Sequence, residues 1–268
     1  VPTLELPHSP HAPGLNPVTI YYREFGSGHP LVFLHGGWGY GVYPFDRQIE
    51  AFKKEFRILI PDRSGYGHST RVSGEMPLDF HRRAAAETIQ ILDALGIERA
   101  ALWGHSDGAV IAAMLGLAAP QRCERLILEA FHYLRKKPGS RAFFERFAAR
   151  PEDLGEETKN LLKQDHGETE WPAVLRRNCG AWFRLADLVQ RADEDLYGGC
   201  LGELEVPTVL LHGSLDPRTE PGEMELVGRA LPRATMRFVG NGKHSPHSEE
   251  SAFEECNAIA REFLQNHS

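Results

Sequence analysis

Gly104-His105-Ser106-Asp107-Gly108 decides the fold of this chain. Ala100-Ala-Leu-Trp103 before it is a short apolar run that reads as a buried strand. Ala109-Val-Ile-Ala-Ala-Met-Leu-Gly-Leu-Ala-Ala119 after it reads as a helix closed by Pro120. A serine between strand and helix in a Gly-x-Ser-x-Gly frame is a nucleophile elbow. The glycines have a steric reason, because a side chain at Gly104 or Gly108 would collide across so tight a turn. The turn pushes the serine hydroxyl out of the sheet edge and sets it at the positive end of a helix.

A serine hydroxyl is a poor nucleophile at neutral pH and needs a base, which in turn needs an orienting acid. Val206-Pro-Thr-Val-Leu-Leu-His212 reads as a strand, followed by the turn Gly213-Ser-Leu-Asp216-Pro. An aspartate just past a strand's carboxyl end lies at the face where open α/β sheets place their sites. Ala234-Thr-Met-Arg-Phe-Val239 reads as a further strand, with Gly240-Asn-Gly-Lys-His244 as its loop. His244 is the expected base and Asp216 the group that fixes its tautomer. Glu129, at the end of the strand after the elbow helix, is the alternative acid, and His247 the alternative base. Leu31-Val-Phe-Leu34 reads as a strand ending in His35-Gly36-Gly37-Trp38-Gly39, where an oxyanion-hole loop belongs. The expected donors are the backbone N–H groups of Gly37 and Asp107, with Trp38 as the alternative to Gly37. Each such donor is typically worth a few kcal/mol in the transition state.

These motifs, in the chain order Ser106, Asp216, His244, make the chain resemble the α/β-hydrolase fold family over nearly its whole length. Pro61-Asp62-Arg63-Ser64-Gly65-Tyr66-Gly67-His68-Ser69 and Gly242-Lys-His-Ser-Pro-His247 add to the resemblance. The resemblance implies that the stretch at Asp62 braces the loops beneath the site, so Asp62 and His68 are not expected to be catalytic. Gly-x-Ser-Asp-Gly with a sizeable lid resembles small serine carboxylesterases and the valacyclovir-hydrolase-like branch. In that branch the aspartate after the serine recognises the α-amino group of amino-acid esters, which gives Asp107 a second role to test.

The remaining pattern alternates strands and helices, which implies a mainly parallel sheet covered on both faces. Val18 to Glu24 and the strand at Leu31, joined through Gly26-Ser-Gly-His-Pro30, read as a hairpin. Phe80 to Leu95 reads as a helix with Ile89, Ile91, Leu92 and Leu95 facing inward. From Phe131 to about Gly202 the alternation stops. Such a stretch is too long for a plain loop and reads as a helical lid inserted after the sixth strand. The expected division is a core of residues 1–130 and 203–268 and a lid of residues 131–202. Trp38, Asp107, Phe143, Trp171 and Trp182 are the candidate substrate contacts, while the plainer role of such aromatics is to pack lid onto core. His132 could face the pocket or cap the start of the lid, and His166-Gly167 resembles a segment of related esterases without a physical role to give it.

At 268 residues the chain can bury a full core. A net charge of −7 argues against nucleic acid or an acidic membrane as a partner. No apolar run is long enough to span a bilayer, and no signal peptide is visible at the first residue given. Cys123, Cys179, Cys200 and Cys256 are scattered, which fits reduced thiols and a cytoplasmic location and gives no metal spacing. No cofactor or metal is expected, the expected partner is a small-molecule ester, and a homodimer is left open. The function expected is hydrolysis of carboxylic esters of small to medium acyl groups through an acyl-enzyme. Amino-acid-ester or peptide-type hydrolysis using Asp107 is the alternative, as is a non-catalytic ligand receptor on the same fold. An acyltransferase follows if the lid excludes water.

Overall fold

The apolar runs become strands because each is short, aliphatic and bounded by turn formers. The computed structural model describes residues 2–191 and 194–265. In chain order it contains β1 (Thr3–Leu6), β2 (Val18–Phe25), β3 (His29–Leu34), α1 (Asp46–Phe52), β4 (Phe56–Pro61), α2 (Phe80–Ala94), β5 (Ala100–His105), α3 (Asp107–Ala118) and β6 (Cys123–Glu129). The chain then leaves the sheet for α4 (Arg141–Ala149), α5 (Glu156–His166) and α6 (Trp171–Asp187). It returns as β7 (Thr208–Gly213), α7 (Glu223–Ala230), β8 (Thr235–Val239) and α8 (Phe253–Gln265). One eight-stranded sheet runs in the order β1-β2-β4-β3-β5-β6-β7-β8. It is antiparallel between β1, β2 and β4 and parallel from β4 through β8.

Alternation along the strands sorts the core into two layers, because successive side chains point to opposite faces. Val32, Leu34 and Leu102 join one apolar layer with α2 and α3. Leu31, Phe33 and Trp103 join the other with α1 and α8. Strands buried on both faces read as continuous apolar runs for this reason. α3 is buried around its whole circumference from Asp107 to Gly116, which is what its all-round apolar composition requires.

One expectation fails. β2 and β3 are not a hairpin, since β4 lies between them, antiparallel to β2 and parallel to β3. The Gly26 turn passes beneath the start of β4 instead, and a Cβ at Gly26 would sit 2.2 Å from the Lys53 carbonyl oxygen. A short glycine turn therefore signalled a close crossing, and the long-range pairing with β4 left no local trace. β1 was also not anticipated. In α2, Ile91 and Leu92 are buried as expected, while Ile89 and Leu95 are only partly covered.

The segment between β6 and β7 packs into the same apolar layer as α2 and α3 through Val174, Ala181, Trp182 and Leu185 of α6. Its first turn is clamped to α7 by Lys137, whose Nζ donates to Glu223 at 2.5 and 2.7 Å with both side chains buried. Residues 192 and 193 of the expected lid lie outside the described residues. All four cysteines are unpaired, and among the described residues no helix is long and apolar enough to cross a membrane.

Candidate active site

The turn after β5 holds Ser106 at φ 54° and ψ −119°, a conformation that costs a residue with a Cβ roughly 1–3 kcal/mol and persists only where its surroundings enforce it. The enforcement is steric. A Cβ on Gly104 would lie 2.1 Å from the Gly108 carbonyl oxygen, and one on Gly108 2.0 Å from the Leu34 carbonyl oxygen. Gly108→Ala is therefore expected to destabilise the protein by ~2 kcal/mol or more, read as a lower urea midpoint together with lost activity. An unchanged midpoint would show that the turn has slack.

The loops after β7 and β8 bring the other two predicted residues to the serine. His244 Nε2 lies 3.1 Å from Ser106 Oγ. His244 Nδ1 faces both oxygens of Asp216 at 3.0 Å, so Nδ1 carries the proton and the Nε2 lone pair points at the hydroxyl. Burial alone would raise the Asp216 pKa, but the His244 hydrogen bond and the Arg218 N–H pull it down to about 2 from 3.8. A depressed folded-state pKa gives stability that is complete above the unfolded value and lost as pH falls from there through about 2. The shift corresponds to a contribution on the order of 2 kcal/mol. The urea-stability gap between the wild type and Asp216→Asn is thus expected to be full at pH 6 and to shrink as pH drops below about 4. A gap that stayed constant down to pH 2.5 would contradict the assignment.

The two alternative triad members find each other instead. Glu129 Oε1 accepts from His247 Nδ1 at 2.8 Å and from the His247 backbone N–H at 3.0 Å. Glu129 Oε2 accepts from Trp103 Nε1 at 2.8 Å. The His247 Nε2–H is directed at the Tyr43 carbonyl at 3.1 Å. Both nitrogens of the His247 ring thus face oxygen atoms, and the ring and Glu129 form a buried hydrogen-bonded pair behind the site. His105 is a further brace, with Nε2 donating to the His244 carbonyl at 2.9 Å. Burial and the adjacent His247 push the His105 pKa down to about 3, so its ring stays neutral.

The loop after β3 is held from two sides. Arg63 donates to the carbonyls of His35 and Gly36 at 2.5 and 2.8 Å. His166, at the end of α5, donates from Nε2 to the Trp38 carbonyl at 2.9 Å and accepts the Gly67 N–H on Nδ1 at 2.9 Å. That gives His166 the physical role the sequence withheld: it ties α5 to both loops. Asp62 takes the Arg23 guanidinium at 2.7 Å and the His68 N–H at 3.0 Å. This is the bracing arrangement expected of that stretch. Asp62, His68 and Asp165 lie close enough together to hold a metal ion. Arg23 already brings a cation to both carboxylates, at 2.7 and 3.8 Å.

Asp107 opens α3, where a helix leaves its first N–H groups without intrahelical partners, so its amide is free to serve beside that of Gly37. Its side chain is engaged elsewhere. Oδ1 accepts from Trp182 Nε1 at 2.9 Å and His81 Nε2 at 3.2 Å, and Oδ2 accepts from Asn178 Nδ2 at 2.7 Å. Burial would raise its pKa, but His81, Arg63 and the Asn178 amide hold it below the ordinary carboxylate value. It is a buried anion that fastens α6 and α2 to the elbow.

The pocket over Ser106 is lined by Trp38, Asp107, Phe143, Phe144, Trp182 and Arg218, together with Tyr43, Asn178, His132 and His244. Trp171 does not line it. That residue is buried among Trp38, Phe147, Leu162 and Leu175, the packing role that the plainer reading gave such aromatics. His132 faces the site, with Nε2 3.4 Å from Ser106 Oγ and its ring stacked on His244 at 5.6 Å. Burial, with Lys137 and His244 nearby, keeps its pKa well below the usual imidazole value. Tyr43, Asn178 and Arg218 were not anticipated, because each is an ordinary polar residue in a loop or helix until the chain brings it to Ser106.

A family model described as the alpha/beta hydrolase fold matches residues 29–187. The chain is similar to the serine hydrolase BPHL of Homo sapiens, 24% identical over 255 residues that cover 94% of this chain and 84% of that protein. It is also similar to the pimeloyl-[acyl-carrier protein] methyl ester esterase of Vibrio campbellii, 32% identical over 255 residues that cover 87% of this chain and 95% of the esterase. A thermophilic esterase from Thermogutta terrifontis shares the fold with a TM-score of 0.73 at 21% identity, over 99% of this chain and 98% of that one.

Proposed function

The chain belongs to the α/β-hydrolase fold family, and from that premise we propose that it is a serine hydrolase cleaving carboxylic esters of small to medium acyl groups. The observation that carries this reading is the hydrogen-bonded series Asp216–His244–Ser106, with separations of 3.0 and 3.1 Å, whose Ser106 and His244 line one pocket. His244 takes the Ser106 proton as Oγ attacks the ester carbon, and Asp216 stabilises the imidazolium that forms. The carbonyl oxygen gathers negative charge in front of the Gly37 and Asp107 N–H groups. Collapse of this intermediate breaks the bond to the alcohol, which leaves with the proton from His244. Water, deprotonated by His244, then attacks the acyl-enzyme and releases the acid. His132 stays neutral beside Oγ and adds no competing cation. Residues 131–202 act in this scheme as a cap that supplies Phe143, Phe144, Asn178 and Trp182 to the acyl side of the pocket.

A second reading has support in Asp107, an ionised carboxylate that lines the pocket and directly follows Ser106. Three donors occupy Asp107, yet an ionised carboxylate offers about four acceptor positions, so one is left for a substrate ammonium. Initial rates on an α-amino acyl ester and its desamino analogue, with Ser106→Ala as the blank, test both readings. A tenfold preference for the amino ester, about 1.4 kcal/mol, would select the amino-acid-ester reading. Equal rates above the blank support general ester hydrolysis, with Asp107 acting as a tether. Neither ester reacting above the blank would bring the receptor or transferase alternatives forward.

A further inference from the structure

Two charged side chains reach the pocket besides the triad, and only one of them is neutralised by the protein. Asp107 has three donors of its own, as described. Arg218 has none of the usual partners: among the described residues no carboxylate lies within ion-pair distance of its guanidinium. What holds it is the ring of Phe143, 3.3 Å from the guanidinium carbon to the ring centroid. Phe143 is in turn stacked on Trp38 at 5.4 Å with the planes 8° apart. The main chain of Arg218 is fixed at both ends, its N–H by Asp216 Oδ1 at 2.8 Å and its carbonyl by Lys137 Nζ at 3.2 Å. Of the two acids two residues away, Asp216 turns both oxygens to His244 and Glu220 turns both to the Gly139 N–H. A planar cation is thus laid flat on an aromatic face, half-buried, in the wall of the same pocket as Ser106.

Such a group has a definite chemical preference. Guanidinium stacking on a ring leaves its in-plane N–H donors free, and their fork matches a carboxylate. Partial burial weakens solvent screening, so a carboxylate meeting it there is held more strongly than at an open surface. We propose that the substrate carries a carboxylate in addition to its scissile ester, and that Arg218 binds this carboxylate while Ser106 attacks the ester. The inference rests on the serine-hydrolase reading but not on any role for Asp107 with an ammonium. The competing use of Arg218 is as a latch between α4 and the loop after β7, through Phe143 alone.

Two matched ester pairs separate these uses: monomethyl glutarate against methyl pentanoate, with the charge on the acyl side, and 4-acetoxybenzoate against 4-methylphenyl acetate, with the charge on the leaving group. The readout is the kcat/KM ratio of charged to neutral ester in the wild type divided by the same ratio in Arg218→Gln, which cancels intrinsic reactivity. A quotient of tenfold or more is expected in at least one pair. Arg218→Lys should keep part of it, and added salt should reduce it. Quotients near one in both pairs overturn the proposal, because a latch affects charged and neutral esters alike. Should the wild type cleave neither pair, the ester reading fails separately, and calorimetry on Ser106→Ala decides. Glutarate or 4-hydroxybenzoate should then bind, and adding Arg218→Gln should weaken binding at least tenfold. Binding of neither anion, or binding indifferent to Arg218, overturns the inference.

Discussion

Ser106→Ala is expected to lower kcat/KM for a small aryl ester by about ten-thousand-fold or more while leaving the urea midpoint unchanged or slightly raised. The size follows from the way the trio works: removing the nucleophile leaves only the residual acceleration of oxyanion donors and substrate binding. The midpoint stays nearly unchanged because alanine keeps the Cβ and with it the strain of φ 54°. Alanine fits the same turn and removes only a hydroxyl. His244→Ala should lower the rate comparably, and the double variant should add little beyond either single change, since the residues act as a unit. A loss of less than tenfold in Ser106→Ala would mean that another group carries the reaction.

Glu129→Ala is expected to be the most damaging substitution for stability outside the packed apolar core. It strands the His247 backbone N–H and ring Nδ1 and the Trp103 indole N–H, in a place where Glu129 and His247 have no exposed side-chain surface at all. Leaving a buried donor without its acceptor costs about 1–3 kcal/mol each, and several together are a large share of the ~5–15 kcal/mol that holds a domain folded. Glu129→Gln should cost less, since the amide keeps one acceptor and nearly the same volume. His247 lies three residues beyond His244 on one loop, and His105 is wedged against both rings, at 4.9 and 5.2 Å. The same substitution should therefore lower kcat as well. Urea unfolding at pH 7 reads the first effect and initial rates the second. A full-stability Glu129→Ala protein would show that the pair contributes little.

The elbow was legible through Gly104, which answers to the Gly108 carbonyl within five residues, whereas the need for Gly108 comes from the distant Leu34 and His35 carbonyls. Asp216 and His244 were legible because each follows an apolar run at a strand's carboxyl end, where a twisted parallel sheet gathers its loops. The β2–β3 connection was misread because two strands across a short turn usually pair, and nothing local records that β4 slots between them. Glu129 and His247 stand 118 residues apart, so their pairing could not be read along the chain, and each looked like a spare triad member. Arg218, two residues past Asp216 in a polar turn, belongs to no sequence motif. Its meaning depends on Phe143, which arrives from α4 and supplies an aromatic face where an acid would be ordinary.

Covalent labelling tests the central claim most directly. The protein is incubated with an alkyl fluorophosphonate, which phosphonylates only a serine activated by a neighbouring base, and is then digested and read by mass spectrometry. The account predicts one adduct, on the peptide carrying Ser106, abolished by Ser106→Ala and strongly slowed by His244→Ala. No adduct in the wild type, or an adduct that persists in Ser106→Ala, would contradict it.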